Sequence, residues 1–120
     1  MVAEREFYIE KEKIGNQFLM TLGDLFEEHY NYKKDKVKLT TLSNYGKKIK
    51  HFNSIRDIKL DKIKIKDIEN WMQEVNSKKL ATRTKNDLMK YLKRVLNYCT
   101  KWYDFNFTFM YNKMVNFTAP

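Results

Sequence analysis

The chain has 120 residues, 42% of them hydrophobic and 15% aromatic, with one proline and three glycines; that composition excludes a disordered tail and argues for one modest domain of long regular elements. The formal net charge is +9, and it is concentrated: residues 33–66 carry 12 Lys/Arg against three Asp/Glu, residues 67–120 nine against five, and residues 1–32 three against seven. No run of about 18 apolar residues is present to span a membrane, "MVAEREFYIEKEK" lacks the apolar core of a signal peptide, and Cys99 as the lone cysteine cannot form an internal disulfide, so a cytoplasmic protein without a membrane partner is expected.

Residues 1–19 are short-patterned and mixed, and are read as a lead-in. "TLGDLFEEHYNYKKDKV" reads as the first helix: Thr21 and Asp24 fit a capping box, Asp24, Glu27 and Glu28 sit in the early turns, and Lys33, Lys34 and Lys36 load the other end. Leu22, Leu25, Phe26 and His29 share a face. "TTLSNYGKKIKHFN" is the second helix, with Leu42, Tyr45, Ile49 and Phe52 as its apolar stripe and Ser43, Asn44, Lys47, Lys50 and His51 opposite. "SIRDIKLDKIKI" has no helical period and is expected as an ordered connector. "KDIENWMQEVNSKK" is the third helix, burying Ile68, Trp71, Met72 and Val75.

The fourth and longest helix lies in "KKLATRTKNDLMKYLKRVLNYCTKW", residues 78–102. Leu88, Tyr91, Leu92, Val95, Leu96, Tyr98, Cys99 and Trp102 fall in one arc. Arg83, Asn86, Lys90, Lys93, Arg94, Asn97 and Lys101 fill the other, interrupted only by Asp87. A solvated face would usually mix the two signs, as i,i+4 pairing favours. The remainder, "YDFNFTFMYNKMVNFTAP", is apolar without helical period; Phe105, Phe107 and Phe109 alternate as in an extended segment. The whole reads as all-α, with four main helices.

Little in the chain can carry catalysis. His29 on the first helix's apolar face reads as a core or boundary residue, His51 as a solvent or phosphate contact, and Cys99 as inert packing. No His/Cys/carboxylate cluster has metal-ligand spacing, and Gly15, Gly23 and Gly46 are isolated rather than part of a phosphate loop. Neither a metal nor a cofactor is expected. The two basic helix faces remain. Arg can bond guanine bidentately, Asn can do so with adenine, hydroxyls bond phosphates, and lysines supply sequence-independent attraction.

Four segments in order resemble the N-terminal core-binding, or SAM-like, domain of phage-type tyrosine recombinases (integrases), over about residues 20–103. "TLGDLFEEHYNYKK" is similar to that family's opening helix, and "KLTTLSNYGKKIKHF" to its second, through Thr41, Leu42 and Tyr45. "IKIKDIENWMQEV" resembles the third through Asp67, Ile68 and Trp71. "LATRTKNDLMKYLKRVLNYCTKW" resembles the fourth through Leu80, Thr84 and Leu88. The resemblance implies a four-helix SAM-like domain (residues 20–104) that covers one face of recombination-site DNA. Its other partners would be further recombinase protomers on the DNA and a catalytic domain of the parent chain, to which the tail (residues 105–120) would lead. The chain by itself would then be no enzyme, the tyrosine nucleophile and its Arg/Lys/His constellation lying in that absent domain.

On this reading the duplex-facing residues are Thr41, Ser43, Asn44, Lys47, Lys48 and His51 on the second helix, and Thr82, Arg83, Thr84, Asn86, Lys90, Lys93 and Arg94 on the fourth. Arg83 and Asn86 are expected near the groove, and Lys90, Lys93 and Arg94 near phosphates. Two other readings fit the same faces: a helical protein–protein module whose basic sides meet an acidic partner, and a nucleic-acid-binding adaptor outside the recombinases.

Overall fold

In the computed structural model the described residues are 20–103 and 105–118; the lead-in assigned to residues 1–19 lies outside them. Helix α1 (Leu22–Lys33) starts on the expected capping box. Thr21 Oγ1 accepts from the Asp24 amide at 3.1 Å, and Asp24 Oδ2 accepts from the Thr21 amide at 3.0 Å. A helix start leaves further N–H groups without partners, and here the connector supplies them. The Leu22 amide donates to the Ile58 carbonyl at 2.9 Å and the Gly23 amide to the Arg56 carbonyl at 2.8 Å, beside an antiparallel bridge between Thr21 and Lys59. That approach requires glycine: a Cβ on residue 23 would stand 3.0 Å from the Arg56 carbonyl oxygen. The connector is thus ordered because it caps α1.

Helix α2 (Leu39–Ile49) runs into a 3-10 turn at Lys50–Phe52, and a second such turn at Leu60–Lys62 precedes α3 (Ile65–Ser77). The Lys64 amide donates to Asp67 Oδ2 at 2.9 Å and fixes the start of α3. Helix α4 (Thr82–Tyr103) is the longest. Its apolar arc meets Leu25 and Phe26 of α1, Leu42 and Tyr45 of α2, and Ile68, Trp71 and Val75 of α3 in one continuous core. Phe52 joins the layers: its ring stacks on Trp71 at 4.7 Å and meets Phe26 at 4.7 Å, while Trp71 Nε1 donates to the His51 carbonyl at 2.8 Å. The all-α class holds among the described residues, and no described helix is long and apolar enough to cross a membrane.

The tail departs from the extended reading. Phe105 and Phe107 keep their two-residue spacing and stack at 5.9 Å, but Thr108–Tyr111 closes one helical turn, α5, and leaves Phe109 exposed. The cause is local: the Asn106 side chain accepts from the Thr108 amide at 2.9 Å and starts the turn. Phe107, Met110, Met114 and Phe117 are buried against the helices. This explains Met89, which the fourth helix's apolar arc omitted: it is fully buried, packed in the same core as the tail's methionines. Ile49, Met72 and Trp102, expected in the core, are half-buried at its edge.

Candidate nucleic-acid interface

The polar faces of α2 and α4 flank one groove of about 310 Å³. Asn44, Lys47, Lys48 and His51 line it from α2, and Thr84, Asp87 and Leu88 from the first turns of α4. Five residues expected at DNA are therefore brought together, although α2 and the start of α4 lie more than 30 residues apart in sequence. The others do not line it. Ser43, Arg83, Lys90 and Arg94 are exposed, and Thr41, Thr82 and Lys93 are half-buried.

The side chains in the groove are held to different degrees. Lys48 Nζ stands 6.0 Å from the centre of the Tyr91 ring, so its charge is tethered over the core. His51 Nδ1 is 3.0 Å from Lys78 Nζ, and Lys78 pairs with Glu74 at 3.6 Å. Partial burial, and then the Lys78 charge, lower the His51 pKa, with Glu74 opposing. His51 therefore presents a neutral imidazole at pH 7, capable of a hydrogen bond rather than of charge neutralisation.

Asn86 corrects the sequence-based expectation. It does not face the groove. Its Nδ2 donates to the Phe117 carbonyl at 3.2 Å, and its Oδ1 accepts from the Phe117 amide at 2.6 Å. Both ends of the amide are engaged by the returning chain. Asn97, on the same side of α4, accepts from the Tyr111 hydroxyl at 2.6 Å. The two asparagines were placed on the polar arc by periodicity alone; nothing local in the sequence marks the tail as their partner. Arg94 is also held, donating to the Tyr45 hydroxyl at 2.7 Å with its guanidinium 5.9 Å from that ring's centre. Cys99 is fully buried, and burial, then Glu28, push its thiol up to about 12, as suits a packing residue. Among the described residues no three His, Cys, Asp or Glu side chains are grouped as a metal site.

Residues 21–76 match the family model of the phage integrase N-terminal SAM-like domain. Over this segment the chain is similar to the integrase-type SAM-like domain, and its all-α fold agrees. Among curated proteins and solved structures nothing matches the chain. The SAM-like match takes in α1, α2, the connector and nearly all of α3. It thus contains the α2 wall of the groove, while the α4 wall is contributed by residues beyond the matched segment.

Proposed function

We propose that the chain is the DNA-binding module of a phage-type integrase and that it contacts recombination-site duplex through the groove between α2 and α4. The observation that carries this reading is the convergence of Asn44, Lys47, Lys48, His51 and Thr84 on one groove whose α2 wall belongs to the segment that matches the integrase SAM-like family. Lys47 and Lys48 supply the attraction to phosphates, and Asn44 and Thr84 the hydrogen bonds. Asp87 fits the same division of labour. A carboxylate repels phosphate but accepts from the cytosine amino group, so the α4 wall faces base edges while the lysines flank them. Arg83 and Lys90, exposed on the outward arc of α4, extend the positive surface beyond the groove. Strand cleavage and joining belong, on this reading, to a catalytic domain of the parent chain, which acts in the cytoplasm with other protomers on the same DNA. The helical domain of residues 20–104 would carry residues 105–120 as a tail docked through Phe107, Met110, Met114 and Phe117, and that tail would lead toward the catalytic domain.

The test is a fluorescence-anisotropy titration of the chain with duplex DNA at several salt concentrations. Neutralising about four phosphates gives a slope of log K against log salt near −3.6. Absence of binding even at low salt overturns the reading.

A further inference from the structure

A second cavity, of about 230 Å³, opens between the C-terminal halves of α1 and α4. His29 and Lys33 line it from α1, and Arg94 and Lys101 from α4, with Tyr32 and Trp102 among the aromatic walls. Among the described residues that line it none is acidic, although the hydroxyl of the lining Tyr98 donates to Glu28 at 2.8 Å. Lys33 and Lys101 stand 5.8 and 5.7 Å from the ring centres of Tyr32 and Trp102, and together with Arg94 they focus a positive potential that attracts an anion.

A second observation is independent of that charge. The His29 side chain is 1% exposed, and its Nδ1 has no hydrogen-bond partner. Buried polar atoms are paired as a rule, and an exception asks for a ligand or a water. The ring is fixed by its neighbours: it meets Tyr98 edge-on at 5.2 Å, Tyr45 at 5.7 Å and Tyr91 at 6.0 Å. Burial, and then Lys33 and Arg94, lower its pKa to about 4, so at pH 7 it is a neutral imidazole. A neutral ring still has one N–H to donate.

We propose that this cavity binds a phosphate group, with Lys33, Arg94 and Lys101 providing charge and the imidazole of His29 donating a hydrogen bond to one oxygen. Tetrahedral oxyanions match such a set because each oxygen accepts from a different donor. The group could come from two sources. One is a backbone phosphodiester of duplex DNA, a source that rests on the DNA-binding reading above. The rise of α4 places Arg94 about 10 Å beyond Asp87, so a strand leaving the groove along α4 passes the cavity mouth. The other source is free phosphate, which requires no DNA.

The experiment uses the imidazole 15N resonances of the full chain, whose histidines are His29 and His51. Inorganic phosphate is added at constant ionic strength. A saturable shift of the His29 resonances is expected. Lys33→Gln combined with Lys101→Gln should weaken that binding by about tenfold, as loss of charge-assisted hydrogen bonds does, with an unchanged melting temperature. No saturable shift of His29, or a folded double variant that binds phosphate as tightly as the parent, overturns the proposal. Duplex titration of the double variant then separates the sources. Weaker binding to every sequence, with a salt slope smaller by about two, assigns the cavity to the DNA backbone. Unchanged duplex affinity assigns it to free phosphate. A chain that responds to phosphate at His29 yet binds no duplex leaves the cavity standing and removes the DNA-binding reading.

Discussion

Asn86→Ala separates a base-reading residue from a residue that holds the chain's own tail. The substitution removes both hydrogen bonds to the main chain of Phe117, at 3.2 and 2.6 Å. Each such bond contributes about 0.5–1.5 kcal/mol net, so the loss is about 1–3 kcal/mol. The effect should stay local, because Phe107, Met110 and Met114 remain buried and keep the rest of the tail docked. The Phe117 amide loses its acceptor outright, so its protection in native-state hydrogen exchange should fall by at least about fivefold, the equivalent of about 1 kcal/mol. Duplex affinity, measured on the same sample, should change less than about twofold, since a residue away from the bound surface has little to contribute. A sequence-selective loss of affinity with Phe117 protection intact would refute the reasoning: Asn86 would then be reading bases, and its bonds to the tail would be dispensable.

Arg83→Ala combined with Lys90→Ala should weaken duplex binding while stability moves by under about 0.5 kcal/mol per site. The Arg83 part should be selective for sequence and the Lys90 part uniform; unchanged affinity would mean that the outward arc of α4 does not face DNA. Leu92→Ala, at a site with no exposure, should cost about 2–5 kcal/mol in thermal or denaturant unfolding and affect binding only through unfolding. Acidification tests His29, whose folded pKa of about 4 lies below the ordinary histidine value of 6.5. A lowered folded pKa gives stability that is complete above pH 6.5 and is lost as pH falls toward 4. Between pH 7.5 and 5 the chain should lose about 1–2 kcal/mol through this residue, the lower figure allowing for solvent screening through the cavity mouth. His29→Gln should flatten that part of the profile, with His51→Gln as the control because its pKa is lowered as well.

The helices were legible in the sequence because their signals are local. Thr21 and Asp24 are three residues apart, and the stripe of Leu42, Tyr45 and Phe52 repeats at helical spacing; the structure realises both. The groove was legible as two basic faces, since a polar arc can be read from periodicity. What could not be read was which part of each arc another segment covers. The bonds from Asn86 to Phe117 and from Asn97 to Tyr111 close over 31 and 14 residues, and such partners are fixed by packing rather than by spacing. The tail looked extended because its hydrophobes alternate, yet one asparagine, Asn106, sufficed to start a helical turn. The cationic cavity was missed for the same reason as the tail contacts. Lys33 and Lys101 belong to different helices, and only the approach of α1 to α4 brings them to His29.

The two held residues of α4 lead to opposite conclusions, and the difference lies in their donor counts. An asparagine amide bonded through both its oxygen and its nitrogen to the main chain of one residue has little left for a base, because adenine recognition needs that same pair of atoms. An arginine has five N–H donors, and Arg94 gives one to Tyr45 while staying exposed on the ridge between the groove and the cationic cavity. Its tether therefore reduces the rotamer freedom that binding must remove and leaves the remaining donors for phosphate. At 100° per residue, Asn86, Met89 and Asn97 lie on one flank of the α4 arc, which the tail closes. Thr84, Asp87 and Arg94 lie on the other, toward α2 and α1, where among the described residues the groove and the cationic cavity lie. On the proposed DNA-binding reading, a duplex would approach from the flank that carries Thr84, Asp87 and Arg94. The angular boundary between the flanks runs along Arg83, Lys90 and Lys101, so substitutions on the two sides of that line should separate into tail-anchoring and DNA-binding effects.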